Sequence, residues 1–170
     1  MALLLLFLLL SAVQHSSADA NFIKTTCGHL RFRSDVCVRL LELDQRSYAA
    51  TTNEELSNIA LDIITNNYTK VCNFLRDMAS QHHGEPIQDP CDQCVFYYNE
   101  AVQKLHDAQA LMAKKAYNDA SLLVDDAVNA PNSCESVFSG AVIPSPVKQT
   151  DAYLLDDSQV TRDLIRLLIS

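Results

Sequence analysis

Between Thr52 and Met78 apolar side chains return every third or fourth position, at Leu56, Ile59, Ala60, Ile63, Ile64, Val71, Leu75 and Met78. That is the repeat of a single buried face on a helix of 3.6 residues per turn. Thr52 and Glu55 stand three apart just ahead of it, the spacing of a reciprocal cap for the first free backbone N–H groups. A long amphipathic helix is therefore predicted from about residue 53 to 80. A second stripe, Val95, Tyr98, Ala101, Val102, Leu105, Ala108 and Met112, predicts a helix opening near Asp92. After the polar step Lys114-Lys115 a third carries Tyr117, Ala120, Val124, Ala127 and Val128 on one side and runs on to Cys134. The segment from about Asp151 to Leu168, rich in Leu and Ile, reads as a fourth.

Breakers are few and fall between these stripes. The glycines are Gly28, Gly84 and Gly140, and the prolines Pro86, Pro90, Pro131, Pro144 and Pro146; a β-rich domain would need more turn residues. The pattern predicts an all-α fold, an antiparallel four-helix bundle with short or modest connections. Ahead of it lies a short basic and polar segment, Phe22 to Leu43, holding two cysteines and two brief helical turns, expected to form a helical hairpin extension.

The first twenty residues have a different character. Met1 to Leu10 is almost wholly Leu and Phe, followed by the polar run Gln14 to Ser17 and the small-residue site Ala18-Asp19-Ala20. This is the layout of a secretory signal peptide over 1–20, too short in its apolar part for the ~20 residues of a membrane span. The expected mature chain, 21–170, is one domain in size, secreted to the extracellular space or apoplast, with no membrane attachment after cleavage. Its six cysteines, Cys27, Cys37, Cys72, Cys91, Cys94 and Cys134, all follow the signal and suit an oxidising compartment. Asn67-Tyr68-Thr69 is a glycosylation sequon at Asn67, which agrees with that route.

The chain carries 21 acidic and 13 basic residues. Asp19 is the signal's only charge, so the mature net charge is -7. Nucleic-acid binding, which rests on clustered Lys and Arg, is not expected. No Gly-x-Ser-x-Gly elbow, His-Glu-x-x-His helix or phosphate-cradling glycine loop occurs, and neither enzymatic activity nor a cofactor is expected. Cys91-Asp92-Gln93-Cys94 has the spacing of a redox pair or, with His82 and His83, of part of a zinc site. A redox motif needs a βαβ setting, and zinc thiolates must stay reduced; structural cysteines are the simpler reading.

Geometry bears on the cysteines directly. If one helix rises from Cys94 to about Met112 and the next descends from Tyr117 to Cys134, each limb is about 25 to 28 Å long at 1.5 Å per residue. The two cysteines then return to one level, where a bond between them is sterically natural. Cys27 and Cys37 have a spacing that suits a bond locking a hairpin too short to hold itself by burial. Cys72 and Cys91 either cross-tie their helices, as the remaining pair, or stay free; six cysteines allow fifteen pairings.

The run Cys27 to Cys37, the block Cys94-Val95-Phe96-Tyr97-Tyr98-Asn99-Glu100-Ala101-Val102, then Tyr117-Asn118-Asp119-Ala120-Ser121, and Cys134-Glu135 before Phe138 resemble the plant invertase and pectin methylesterase inhibitors over essentially the whole mature chain. The resemblance implies a four-helix bundle, an N-terminal hairpin closed by Cys27 with Cys37, and a second bond between Cys94 and Cys134. It also implies that the chain docks as a protein, expected to be a monomer, on a pectin methylesterase or an acid invertase and covers its cleft. Some invertase inhibitors of the family insert a Pro-Lys-Phe tripeptide after the second bundle helix. Here that turn reads Lys114-Lys115-Ala116-Tyr117, which favours pectin methylesterase, although related pollen allergens labelled invertase inhibitors resemble this chain there. Cys72 and Cys91 add to the family's usual four cysteines, and Ser136-Val137 replaces its common acidic-glycine pair.

Lys114 and Lys115, adjacent at a helix turn, are candidates for touching an acidic cleft. Tyr97 and Tyr98 are neighbours on one helix and cannot both face the core, so Tyr97 is the candidate for partner contact and Tyr98 for packing. From another class, a small-ligand or lipid carrier would need a continuous apolar tunnel between the helices, and a storage or structural allergenic protein is a further alternative.

Overall fold

The structure is a computed structural model that describes residues 20–169. The signal segment expected over 1–20 thus lies almost entirely outside the described residues. From 20 to 169 the chain forms helices and turns, with no strand among the described residues. Helix α1 covers 20–28 and α2 covers Ser34–Glu42, separated by a 3-10 turn at Arg31–Arg33. After a second 3-10 turn, Gln45–Ala49, come α3 (Asn53–Gln81), α4 (Gln88–Ala113), α5 (Tyr117–Ala127), α6 (Asn129–Gly140) and α7 (Lys148–Arg166).

The predicted cap at the start of α3 is present. Glu55 N–H donates to Thr52 Oγ1 at 3.2 Å, and Thr52 N–H donates to Glu55 Oε2 at 3.0 Å. Helix α4 begins four residues earlier than its apolar stripe suggested. Pro90 lies in its first turn, where the missing N–H would have no partner within the helix anyway, so the proline starts the helix instead of ending it. In the connection before α4, Gly84 takes φ +80°, a conformation that side chains disfavour.

The third predicted helix is two. Pro131, four residues after Ala127, has no N–H to offer the Ala127 carbonyl, and the chain breaks between α5 and α6 at Val128. The orphaned carbonyl is met from across the core by the Tyr68 hydroxyl at 3.4 Å.

Paired contacts fix the directions of the limbs. Asp62 meets Gln109 while Cys72 meets Asn99, so α3 and α4 run antiparallel. Arg162 meets Asp125 at 2.6 Å, near the far end of α7 and within α5, whereas Asp151 at the start of α7 lies beside Glu135 of α6. The α5–α6 limb and α7 are therefore antiparallel as well. Cys94 bonds to Cys134 with 4.8 Å between their Cα atoms, bringing α4 and α6 to one level. Tyr68, Tyr98, Phe138, Leu105 and Met112 fill the space between the four limbs.

The hairpin of α1 and α2 is bound more firmly than an appendage held by Cys27–Cys37 alone would be. Ile23, Leu40 and Leu41 are fully buried with Leu56, Ala60, Val160 and Leu164, a second apolar cluster between the hairpin, the start of α3 and the end of α7. Arg33 and Arg39 add charged hydrogen bonds to Asp163 and Asp157 of α7 at 3.2 and 2.6 Å.

Helices α4 and α6 end alike. Ala116 N–H reaches the Leu111 carbonyl and Lys115 N–H that of Met112, while Ile143 reaches Phe138 and Val142 reaches Ser139. In this six-to-one closure the penultimate residue must be left-handed, and here those residues are Lys115 and Val142, both at φ 58°. Glycine ordinarily serves there. Val142 is β-branched and 89% exposed, so its strain is not offset by burial.

Two outcomes follow from this architecture. Val142→Gly should stabilise the protein by roughly 1 kcal/mol, the cost of left-handed backbone that glycine avoids, read as a higher denaturant midpoint; an unchanged or lower midpoint contradicts the strain. Replacing Cys94 and Cys134 together by Ala should destabilise by about 4 kcal/mol on the chain-entropy estimate for such a loop, and equal melting temperatures for variant and parent would contradict a structural role for that bond.

Candidate functional site

Helix α4 presents two faces through adjacent tyrosines. Tyr98 is fully buried, whereas Tyr97 is half-buried on the outside, its ring edge-on to the exposed Phe96 at 5.7 Å. Beside Tyr97 the disulfide draws α4 and α6 together, and the surface dips into a groove of about 370 Å³ whose floor is small and polar: Asn129, Asn132, Ser133 and Ser136. Farther along α4 toward the middle of the bundle, the Lys104 ammonium lies 3.4 Å from Asp126.

Lys114 and Lys115 project at the end of the bundle where α4 turns into α5, exposed and without an ion pair to any described residue. Tyr97 lies seventeen residues back along the same helix, about 26 Å at 1.5 Å per residue. The structure thus separates these candidates into a cationic tip and an aromatic groove. Asn67 is half-buried within α3, on the wall of a groove of about 290 Å³ it shares with Arg39, Lys70 and Tyr153.

Cys72 and Cys91 are buried free thiols, so the cross-tie that would have used the remaining pair is absent. The register explains this. Cys72 Sγ points at the Val95 carbonyl (3.8 Å) and Asn99 Oδ1 (3.3 Å), one to two turns beyond Cys91 along α4. Burial raises both thiols above their ordinary pKa, against the pull of Arg76 at Cys72 and with further help from Asp92 at Cys91. Neither is an activated thiolate. His106 pairs with Gln109 on the surface of α4, and His82 lies against Glu85 in the preceding connection. Among the described residues no three His, Cys, Asp or Glu side chains converge as a ligand set for a metal ion.

Sequence reasoning missed a polar cluster inside the bundle. Tyr98 Oη donates to Asp151 Oδ1 at 2.5 Å, the Tyr68 and Tyr98 rings meet at 5.5 Å, and Tyr68 Oη lies 3.0 Å from Ser158 Oγ. Burial pushes both tyrosines well above the usual phenol range, with Asp151 adding to it. It also pushes Asp151 up to about 7; the bond from Tyr98 opposes this and Glu135 reinforces it. A signal was present. Asp151, Leu154, Ser158, Thr161 and Ile165 share the three-to-four spacing of the inward face of α7, so polar side chains occupy core positions there.

The molecule is a helical scaffold clamped by two disulfides. The family model described as plant invertase/pectin methylesterase inhibitor matches residues 21–167, and the chain belongs to that family. In fold it is similar to the crystal structure of a pectin methylesterase inhibitor from Arabidopsis thaliana, with a TM-score of 0.53 and 15% identity over 88% of this chain and 92% of the other. No curated protein matches the sequence. The family is one of enzyme inhibitors, and among the described residues no helix is long and apolar enough to cross a membrane.

The placement of Cys72 and Cys91 gives a direct check. Thiol titration of the native protein should find neither group within minutes, and titration in denaturant should find two. Two reactive thiols before unfolding, or none after it, would contradict this burial and pairing.

Proposed function

We propose that this chain is a secreted protein inhibitor that docks on a plant cell-wall pectin methylesterase and covers its cleft, without catalysis of its own. The observation that carries the reading is the family match across residues 21–167. The Lys114-Lys115-Ala116-Tyr117 turn, which lacks a Pro-Lys-Phe tripeptide, favours pectin methylesterase over acid invertase, the second target the family allows.

On this reading the contact surface is the outer face of α4 and α6. Tyr97 contributes an aromatic ring beside a groove able to receive a protruding partner loop, and Phe96 extends that apolar edge. Lys114 and Lys115, unpaired at the bundle's end, are free to meet acidic groups on the same partner, provided it is large enough to span both places. The clamp between Cys94 and Cys134 keeps the groove's walls in place before docking, which lowers the ordering cost of association. Lipid carriage is disfavoured because aromatic and aliphatic side chains fill the inter-helix space where a tunnel would run. Secretion, action as a monomer and a glycan at Asn67 belong to the same proposal.

Titration of the purified mature chain against a pectin methylesterase and an acid invertase at mildly acidic pH tests it. The esterase rate should fall stoichiometrically, and Tyr97→Ala should weaken inhibition roughly ten-fold, as loss of an interface anchor does. Inhibition of neither enzyme at micromolar protein would remove the inhibitor reading, and inhibition of invertase alone would reassign the target.

A further inference from the structure

Asp151 stands in the first turn of α7 and is 1% exposed. Its Oδ1 accepts the Tyr98 hydroxyl, but its Oδ2 is buried with no donor, and Glu135 Oε1 on α6 is buried with no donor either. These two orphans belong to neighbouring side chains, within hydrogen-bonding reach of each other. Buried polar atoms are rarely left without a partner, and two carboxylate oxygens cannot satisfy one another, since neither carries a hydrogen. One added proton removes both defects together: carried on Asp151 Oδ2, it donates to Glu135 Oε1.

We propose that Asp151 and Glu135 share a single proton, and that this proton fastens the first turn of α7 to α6 in acid and is lost as the solution becomes neutral, leaving two like charges face to face.

Among the described residues the surroundings hold no cation to take the proton's place. Helix α4 contributes Tyr98 and α3 contributes Tyr68, whose hydroxyl is committed to Ser158 and the Ala127 carbonyl. On α5, Asp125 is paired with Arg162 and Asp126 with Lys104. Along α7, Lys148 is exposed, and the buried Asp157 is paired with Arg39 of α2. No positive side chain is among the charges acting on Asp151. A divalent metal ion would fit poorly, since it takes about six oxygens, and Asp151, Glu135 and Tyr98 supply too few. The sign follows from linkage. Asp151 holds its proton in the folded chain up to about pH 7, against an ordinary value of 3.8. Stability from the shared proton is therefore complete below the unfolded value and declines as pH rises toward the folded one, by up to about ten-fold in the folding equilibrium per pH unit.

Thermal unfolding of the full mature, oxidised protein at about pH 5 and about pH 7.5 tests the device with two isosteric variants. In Asp151→Asn the amide oxygen still accepts from Tyr98 while the amide N–H₂ donates to Glu135 at every pH. In Glu135→Gln the amide donates to an ionised Asp151. The parent's melting temperature should fall between the two pH values. Each variant should fall less and should exceed the parent at about pH 7.5. A parent that shows no fall, or variants that fall as steeply as it does, overturns the proposal. Should one variant fail to fold, the other carries the same comparison. The parent protein also provides an independent readout, a protonated-carboxyl infrared band at about pH 6 that fades as pH passes about 7; its absence at pH 6 overturns the shared proton.

Discussion

The bond between Cys94 and Cys134, with 4.8 Å between their Cα atoms, fixes the level at which α4 and α6 meet. Ala101 of α4 and Ala130 and Ser133 of α6 line the surface between these helices together with the longer side chains of Tyr97, Glu100 and Lys104. The buried face of α4 turns Tyr98 fully inward and leaves Tyr97 outward, so the helix tied by this bond contributes to both the interior polar cluster and the outer aromatic rim.

The interior is not a plain hydrocarbon core. A proline breaks the third limb, the carbonyl this frees is met by Tyr68, and the same hydroxyl reaches Ser158 on α7. Tyr98 then ties α4 to Asp151 at the start of α7. Buried polar groups in such a network are costly when left unpaired, and they favour a register that brings them to partners. Two tyrosines thereby link all four limbs, at positions where aliphatic side chains would tolerate sliding.

Rigidity of this kind suits a protein that works by surface contact. The groove beside Tyr97 and the lysines at the α4–α5 turn lie at different levels of one continuous helix, which holds their separation constant. The hairpin of α1 and α2, with its own buried cluster and its own disulfide, braces the opposite side through α3 and α7. A partner reading both the aromatic rim and the cationic tip must be a macromolecule, which accords with a family of protein inhibitors of enzymes.

The limbs themselves were legible in the sequence, because a 3.6-residue apolar repeat and the Thr52–Glu55 cap act within a few residues of where they are written. The return of Cys94 and Cys134 to one level was legible too, since it depends only on two nearly equal helix lengths and a short reversal. Proline roles were less so: Pro90 opens a helix and Pro131 breaks one, and the difference lies in whether the missing N–H had a carbonyl awaiting it. Only tertiary structure decided what crosses between limbs. That Cys72 faces Asn99 instead of Cys91 and that Asp151 meets Tyr98 and Glu135 are facts of register and rotation between helices. Such facts arise when side chains from four limbs compete for the same space, and a local pattern along one limb does not carry them.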